Sequence, residues 1–180
     1  MRHVWRSGRP RGLLTDDEFY GLFRDFRGTA FHLEMRDTYG LDSEDGPFQR
    51  FMRGEPGDYA WHEPWLRIVR EATAAGKHIS RARIVTVPHT DYTRWSLAVS
   101  PTNIDAGEDI RWLPRHDLGD IELPPHDFWL FDNERLVWTT FDAAGRFAGS
   151  FEERDPALIA QCRAAYERVW AAAIPHRDYV

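Results

Sequence analysis

Two neighbouring segments indicate the fold class of this chain: Trp65-Leu-Arg-Ile-Val-Arg-Glu-Ala-Thr-Ala-Ala-Gly76 and, two residues later, Ile79-Ser-Arg-Ala-Arg-Ile-Val-Thr-Val87. From Trp65 onwards, apolar residues recur at i, i+3, i+4 and i+7, which predicts an amphipathic helix that ends at Gly76. The second segment is rich in β-branched residues and stops before Pro88, which predicts a strand. A helix that leads directly into a strand is part of a strand–helix–strand unit.

The rest of the chain completes a mixed α/β pattern. Phe31, Leu33 and Met35 alternate with polar residues, which predicts a half-buried strand ahead of the first helix–strand pair. Strand–helix–strand order favours parallel pairing through a right-handed crossover. Further strands are predicted at 108–114, 128–131, 136–141 and 147–151. The last three follow one another through short turn sequences, so they should form an antiparallel meander.

Helices are predicted in four other places. They lie after Thr15, near 46–53, after Thr90 with an interruption at Pro101, and from Asp155 to Pro175. We therefore predict one α/β domain over residues 13–180, with a mixed parallel and antiparallel sheet that is covered by helices.

The composition disfavours several classes of protein. The chain has 180 residues, 42% of them hydrophobic, and a net charge of −6, which suits one globular domain. It has no long apolar run and no apolar signal core at its start, so we expect a cytoplasmic protein without a membrane segment. The single cysteine, Cys162, excludes an internal disulfide, and no spacing of His, Cys and acids matches a metal site. We expect no cofactor.

The first twelve residues differ from the rest of the chain. They contain Arg2, Arg6, Arg9 and Arg11 and no acid. We predict a flexible basic arm over 1–12 that could touch nucleic acid or an acidic partner. Elsewhere the net negative charge makes direct binding of nucleic acid unlikely, because such binding needs clustered cations.

Polar residues near the predicted strand ends are candidates for ligand binding. His89 and Tyr92 follow the strand that ends at Val87, and His89 with Asp91 could act as a general base and its orienting group. Arg111 and Arg115 could hold a carboxylate or a phosphate. Each group also has a structural alternative, because Asp91 can cap a helix and both arginines have acids close in sequence.

Several segments resemble an uncharacterised bacterial domain family of the high-GC Gram-positive type. The resembling segments are Phe31-His-Leu-Glu-Met-Arg-Asp37, Trp65 to Gly76, Ala106-Gly-Glu-Asp-Ile-Arg-Trp-Leu-Pro-Arg115 and Asp127-Phe-Trp-Leu-Phe-Asp132. Members of this family are often encoded beside small helix-turn-helix regulators. The resemblance implies a genomic setting and a possible partner, but no settled activity.

A second resemblance concerns the fold. His126-Asp-Phe-Trp-Leu-Phe-Asp-Asn133 is similar to one half of a phospholipase D-type domain, whose motif is His-x-Lys-x-x-x-x-Asp. His126 matches the nucleophile, Phe128 stands at the lysine position, and Asp132 lies one residue before the position of the supporting aspartate. Active members need two such motifs, and this chain has one. The resemblance implies a scaffold that has lost the charge which stabilises phosphoryl transfer.

These observations lead to three hypotheses for the function. The first is a non-catalytic regulatory or sensor domain that partners a helix-turn-helix regulator or binds a small ligand. The second is a phosphodiesterase-like hydrolase or transferase with His126 as nucleophile, Asp132 in support, and Arg111 or Arg115 on the phosphate. The third is a homodimer formed through an exposed edge of the sheet.

Overall fold

The computed structural model describes residues 12–180. Its helices are α1 (Asp16–Asp25), α2 (Asp42–Met52), α3 (Glu63–Ala74), α4 (Asp91–Ala106), α5 (Pro156–Ala172) and α6 (His176–Tyr179). Its strands are β1 (Thr29–Glu34), β2 (His78–Val85), β3 (Asp109–Pro114), β4 (Asp127–Phe131), β5 (Arg135–Phe141), β6 (Phe147–Glu153) and β7 (Ile174–Pro175). The predicted basic arm lies outside the described residues, apart from Gly12.

The strands form one mixed sheet in the order β6-β5-β4-β1-β2-β3-β7. β1, β2 and β3 are parallel, and α3 and α4 connect them. β4 pairs antiparallel with β1, and β5 and β6 add two more antiparallel strands, which form the predicted meander with β4. The predicted mixed α/β fold is thus confirmed.

Helices cover both faces of the sheet. On one face, Cys162 and Val169 of α5 pack in a cluster with Phe128 and Leu130 of β4. On the other face, α1 and α3 pack against the alternate residues of the same strand, Trp129 and Phe131. The central strands are therefore buried on both sides. This corrects the prediction of a half-buried strand at 31–35, because the polar side chains of β1 are also shielded from solvent.

The structure also changes two predicted helix boundaries. Pro101 lies inside α4 and does not interrupt it. Pro101 is exposed, and it lacks the backbone N–H that would bond to the preceding turn. The hydroxyl groups of its neighbours Ser100 and Thr102 donate hydrogen bonds to carbonyl oxygens of that turn. The last helix ends at Ala172, because Ile174 and Pro175 leave it to pair with β3.

Across residues 12–180, none of the helices combines the length and the apolar character that crossing a membrane requires.

Candidate functional site

A cavity of about 290 Å³ lies on the α1 side of the sheet. Alternate residues of the central strands form its floor, among them His32 of β1, Arg81 of β2 and Trp129 of β4. Residues of α1, α2 and α4 form its walls. The cavity thus sits where a sheet face is covered by helices that do not meet completely.

A buried ion network forms one side of the floor. Glu34 lies 2.6 Å from the guanidinium of Arg81 and 2.7 Å from that of Arg83. Arg81 contacts Glu34 through Nη1 and donates a hydrogen bond from Nε to Glu108 at 2.7 Å. Burial alone would lower the pKa of Arg81, but Glu108 and Glu34 outweigh it and raise the pKa. Arg81 is therefore held in its charged form between two carboxylates.

Glu108 is fixed in turn by neutral donors. Its second oxygen accepts hydrogen bonds from the indole of Trp65 at 3.0 Å and from the amide of Asn103 at 2.7 Å. Burial favours the neutral acid, yet Arg81 and these donors keep the pKa of Glu108 below its usual range. The amide oxygen of Asn103 lies 2.9 Å from the ring of His62. The network thus links β1 and β2 to α3 and α4.

His32 lies in the middle of the floor and stacks on Trp129. Their ring centroids are 4.2 Å apart and the rings are within 12° of parallel. The residue is only 9% exposed. Burial lowers the pKa of His32 well below its usual range, and the nearby Arg81 and Arg83 lower it further. The imidazole is therefore neutral, with one nitrogen able to donate and one able to accept.

Two carboxyl groups at the cavity carry raised pKa values. Asp127 accepts from the hydroxyl of Tyr39 at 2.6 Å and from the amide of Met35 at 3.0 Å, and its burial raises its pKa to about 7. Burial also raises the pKa of Glu44, which accepts from the hydroxyl of Tyr92. Both acids therefore ionise less readily than they would in water.

Several buried polar atoms of this cavity have no hydrogen-bond partner within residues 12–180. They are both ring nitrogens of His32, Oε2 of Glu34, Nε of Arg83 and Oγ1 of Thr139. Oε2 of Glu34 is close to Arg83, as described above, and Nδ1 of His32 lies 3.3 Å from Oε1 of Glu34, but neither contact is aligned for a hydrogen bond. Buried polar groups are usually paired, so a cluster of unpaired donors and acceptors around one cavity marks a place for a polar occupant.

The structure brings only Tyr92 of the predicted ligand-binding residues to this cavity. His89 lies near Tyr179, whose hydroxyl is 3.1 Å from Nε2. Arg111 stacks over Trp170 of α5, with 4.1 Å between guanidinium and ring centre. Arg115 donates to the carbonyl of Met35 at 2.6 Å. These three side chains are thus engaged by other parts of the protein.

His126 and Asp132 do not form one site. They stand at opposite ends of β4, with a whole strand of about 17–20 Å between them. His126 contacts the ring of Trp138, which packs in the α5 cluster on the other face from the cavity. Asp132 accepts backbone hydrogen bonds from Arg27, Gly28 and Thr29 at 2.8 to 3.0 Å. Its carboxylate therefore fastens the loop before β1 to the turn after β4.

Sequence reasoning missed most of the residues around the cavity. His32 and Glu34 on β1 fall on the polar side of the strand that is predicted to be half-buried. Arg81 and Arg83 lie inside the predicted strand at 79–87, but the sequence analysis does not single them out. A signal was nevertheless present. Strands in the parallel part of a sheet are usually buried on both faces, so charged residues there call for partners or a ligand.

No group of three or more His, Cys, Asp and Glu side chains is arranged to hold a metal ion in the part of the chain from Gly12 onwards.

Residues 17–180 match the family model described as a domain of unknown function, DUF6879. The chain belongs to the DUF6879 family. No curated protein shows significant similarity to this DUF6879 chain. Among solved structures it is similar to NucT from Helicobacter pylori, with 8% sequence identity, 88% of this chain and 91% of that chain covered, and a TM-score of 0.50. At this identity the likeness supports the predicted mixed α/β fold, and the fold alone.

Proposed function

We propose that this chain is a non-catalytic regulatory or sensor domain that binds a small molecule in the central cavity. The observation that carries the proposal is the set of unpaired buried polar atoms around that cavity. A cavity near 300 Å³ with a few fixed polar groups and aromatic walls has the usual character of a small-molecule site. The ion network beneath it gives the floor a fixed geometry, which favours selective binding.

The charges of the cavity support binding rather than phosphoryl transfer there. Both of its guanidinium groups, those of Arg81 and Arg83, face the carboxylate of Glu34. Neither is free to stabilise the negative charge that develops on a transferring phosphoryl group. A phosphate would also meet the carboxyl groups of Glu44 and Asp127.

A thermal-shift screen with a library of small metabolites tests the proposal. We expect at least one compound to raise the melting temperature of the whole chain, because a ligand that binds only the folded state stabilises it. Thr139→Val removes an unpaired hydroxyl from the cavity. Its affinity for the stabilising compound should be roughly fivefold to tenfold lower than that of the wild type, because this is the effect of losing about one hydrogen bond.

Thr140→Val is the matched control. Thr140 follows Thr139 on β5, but its hydroxyl is already paired with the carbonyl of Gly149 and it does not line the cavity. It should bind the compound as the wild type does. A screen without any stabilising compound, or a compound whose affinity is equal in the two variants, would contradict the proposal.

The regulatory half of the proposal concerns a protein partner. The family resemblance suggests a helix-turn-helix regulator encoded nearby. Co-expression of the two proteins, followed by size-exclusion chromatography with light scattering, tests this partnership. A shared peak whose mass equals the sum of both chains is expected, and two separate peaks with and without the stabilising compound would contradict it. The same measurement reports whether this chain alone forms the predicted homodimer.

A second candidate function is a phosphodiesterase-like activity with His126 as nucleophile. The similarity of the fold to NucT is the observation that favours it. The half-exposed side chain of His126 is accessible at the start of β4. This alternative expects turnover of a generic phosphodiester that disappears in His126→Ala, with Arg111→Gln and Arg115→Gln lowering it. Activity that persists in His126→Ala would rule it out.

A further inference from the structure

The ionisable groups that line the cavity are unequal in number. Two guanidinium groups, those of Arg81 and Arg83, face four carboxyl groups, those of Asp16, Glu34, Glu44 and Asp127. Histidine adds no charge here, because His32 is neutral. A ligand that enters the cavity therefore meets more carboxyl groups than guanidinium groups.

The positive charges are also already compensated. Glu34 contacts both guanidinium groups, and Glu108 contacts Arg81 from behind the floor. An anion would have to compete with these carboxylates for the same donors. Glu44 and Asp127, by contrast, are bonded only to neutral groups, the hydroxyls of Tyr92 and Tyr39 and the backbone amide of Met35. Neither acid forms an ion pair in the part of the chain that the structure describes. Arg83 and Arg81 act on Glu44 only at longer range, as Arg36 does on Asp127, and burial outweighs them in the pKa of each acid.

Aromatic side chains provide the remaining walls. Phe19 of α1, Tyr39, Trp129 and Phe141 all line the cavity. Aromatic faces bind flat apolar groups by stacking, and they attract cations through the negative potential of the ring. A ligand with a flat apolar body and a positive charge would stack on the aromatic walls and pair with the carboxyl groups at the same time.

His32 adds an observation to that of Glu44 and Asp127. The residue is 9% exposed and lines the cavity, and neither ring nitrogen makes a hydrogen bond within residues 12–180, although Nδ1 lies 3.3 Å from Oε1 of Glu34. Its stacking on Trp129 fixes the plane of the ring. A ligand with a polar edge could pair with these nitrogens at little cost in side-chain freedom.

We propose that the cavity selects an organic cation, a protonated amine or amidine on a flat apolar body, with its charge directed to Glu44 and Asp127. This inference rests on the proposed function, since it names the class of ligand for the same cavity. Binding would exchange water and neutral partners around the two acids for a positive charge. The ligand class differs from the phosphate esters that the phospholipase D resemblance suggests.

Three compounds of similar shape but different charge test the inference on the whole chain. Benzamidine, benzamide and benzoate are nearly isosteric and carry a positive charge, no charge and a negative charge. Isothermal titration at millimolar concentrations should give an affinity for benzamidine at least about tenfold above that for benzamide. Benzoate and inorganic phosphate should bind more weakly than benzamide.

Two variants locate the effect. Glu44→Gln and Asp127→Asn keep the shape of the side chains and remove the charges, so each should reduce the preference for benzamidine over benzamide severalfold. Asp45→Asn is the control, because Asp45 adjoins Glu44 on α2 but is exposed and does not line the cavity. It should keep the full preference. Equal losses in all three variants would overturn the assignment.

The outcomes separate the ligand class from the proposed function. Equal binding of benzamidine and benzamide, or tighter binding of benzoate or phosphate, would overturn the cation proposal and leave a small-molecule site in place. No binding of any of the compounds, combined with an empty metabolite screen, would overturn both. Binding of benzamidine that is unchanged in Glu44→Gln and Asp127→Asn would place the cation outside this cavity.

Discussion

Asp127 illustrates how one residue couples the cavity to the stability of the fold. Its pKa is about 7 in the folded chain, against an ordinary value of 3.8. Between these values the folded state holds a proton that the unfolded state has lost. The free energy of unfolding therefore falls as the pH rises through this window, and the penalty is complete above pH 7.

The variant Asp127→Asn should remove this dependence. Its amide oxygen can still accept from the amide of Met35 and its NH2 group can donate to the hydroxyl of Tyr39, but it cannot ionise. Relative to the wild type, its free energy of unfolding should rise between pH 4 and pH 8 by a few kcal/mol, about 4 at most at 1.36 kcal/mol per pKa unit. Urea denaturation across this pH range measures the difference. Parallel pH profiles of the two proteins would show that Asp127 ionises normally.

At Asp132 we expect a structural effect, in contrast to the catalytic role considered from the sequence. Asp132→Ala removes the acceptor of three backbone amide groups, so it should cost about 2–4 kcal/mol of unfolding free energy. Glu134→Ala in the same turn is the control, because its ion pair with Arg27 is exposed and worth less than about 1 kcal/mol. Equal stability of the two variants in urea titration would contradict this role.

At the scale of elements, the end of α4 positions part of the ion network. Gly107 ends the helix with φ +109, and Glu108 follows directly. A Cβ atom at Gly107 would come within 2.9 Å of Cγ2 of Thr73 in α3. The close approach of α3 and α4 therefore depends on glycine at this position.

Gly107→Ala should destabilise the fold more than Gly76→Ala does. Both glycines have positive φ, but Gly76 has open space where its Cβ would lie. We expect a cost of about 1 kcal/mol at Gly76 from backbone strain alone, and of about 3 kcal/mol or more at Gly107, where overpacking is added. Thermal or urea unfolding of the two variants measures the difference in their free energies of unfolding. A similar cost at both positions would mean that α3 can move aside.

The elements were largely predictable from the sequence, and the site was not. Helical spacing after Trp65 and Thr15, and the hairpin turns after β4 and β5, are local signals that the structure confirms. The role of His32 and Glu34 depends on which helices cover the second face of β1. This cannot be predicted from the sequence, because polar and apolar residues alternate in the same way whether that face meets water or a cavity. The burial of a polar residue is a property of the assembled sheet.

At the scale of the whole molecule, Glu34 joins the two parallel strands through charge. It contacts both Arg81 and Arg83 at 8% side-chain exposure. Glu34→Gln would leave two buried guanidinium groups with less compensation, and we expect a loss of about 3–5 kcal/mol. Glu55→Gln affects only an exposed pair with Arg53, so it should leave the midpoint of urea unfolding nearly unchanged. Equal midpoints of urea unfolding would contradict a supporting role for the network.

The account depends most on the claim that ligands bind at the cavity and not on the opposite face of the sheet. Nuclear magnetic resonance of histidine-labelled protein, titrated with the compound that stabilises it most, tests this directly. We predict that the ring resonances of His32 shift, while those of His126 on the other face and of the exposed His116 do not. Shifts at His126 with His32 unchanged would contradict the account and favour the phosphodiester alternative.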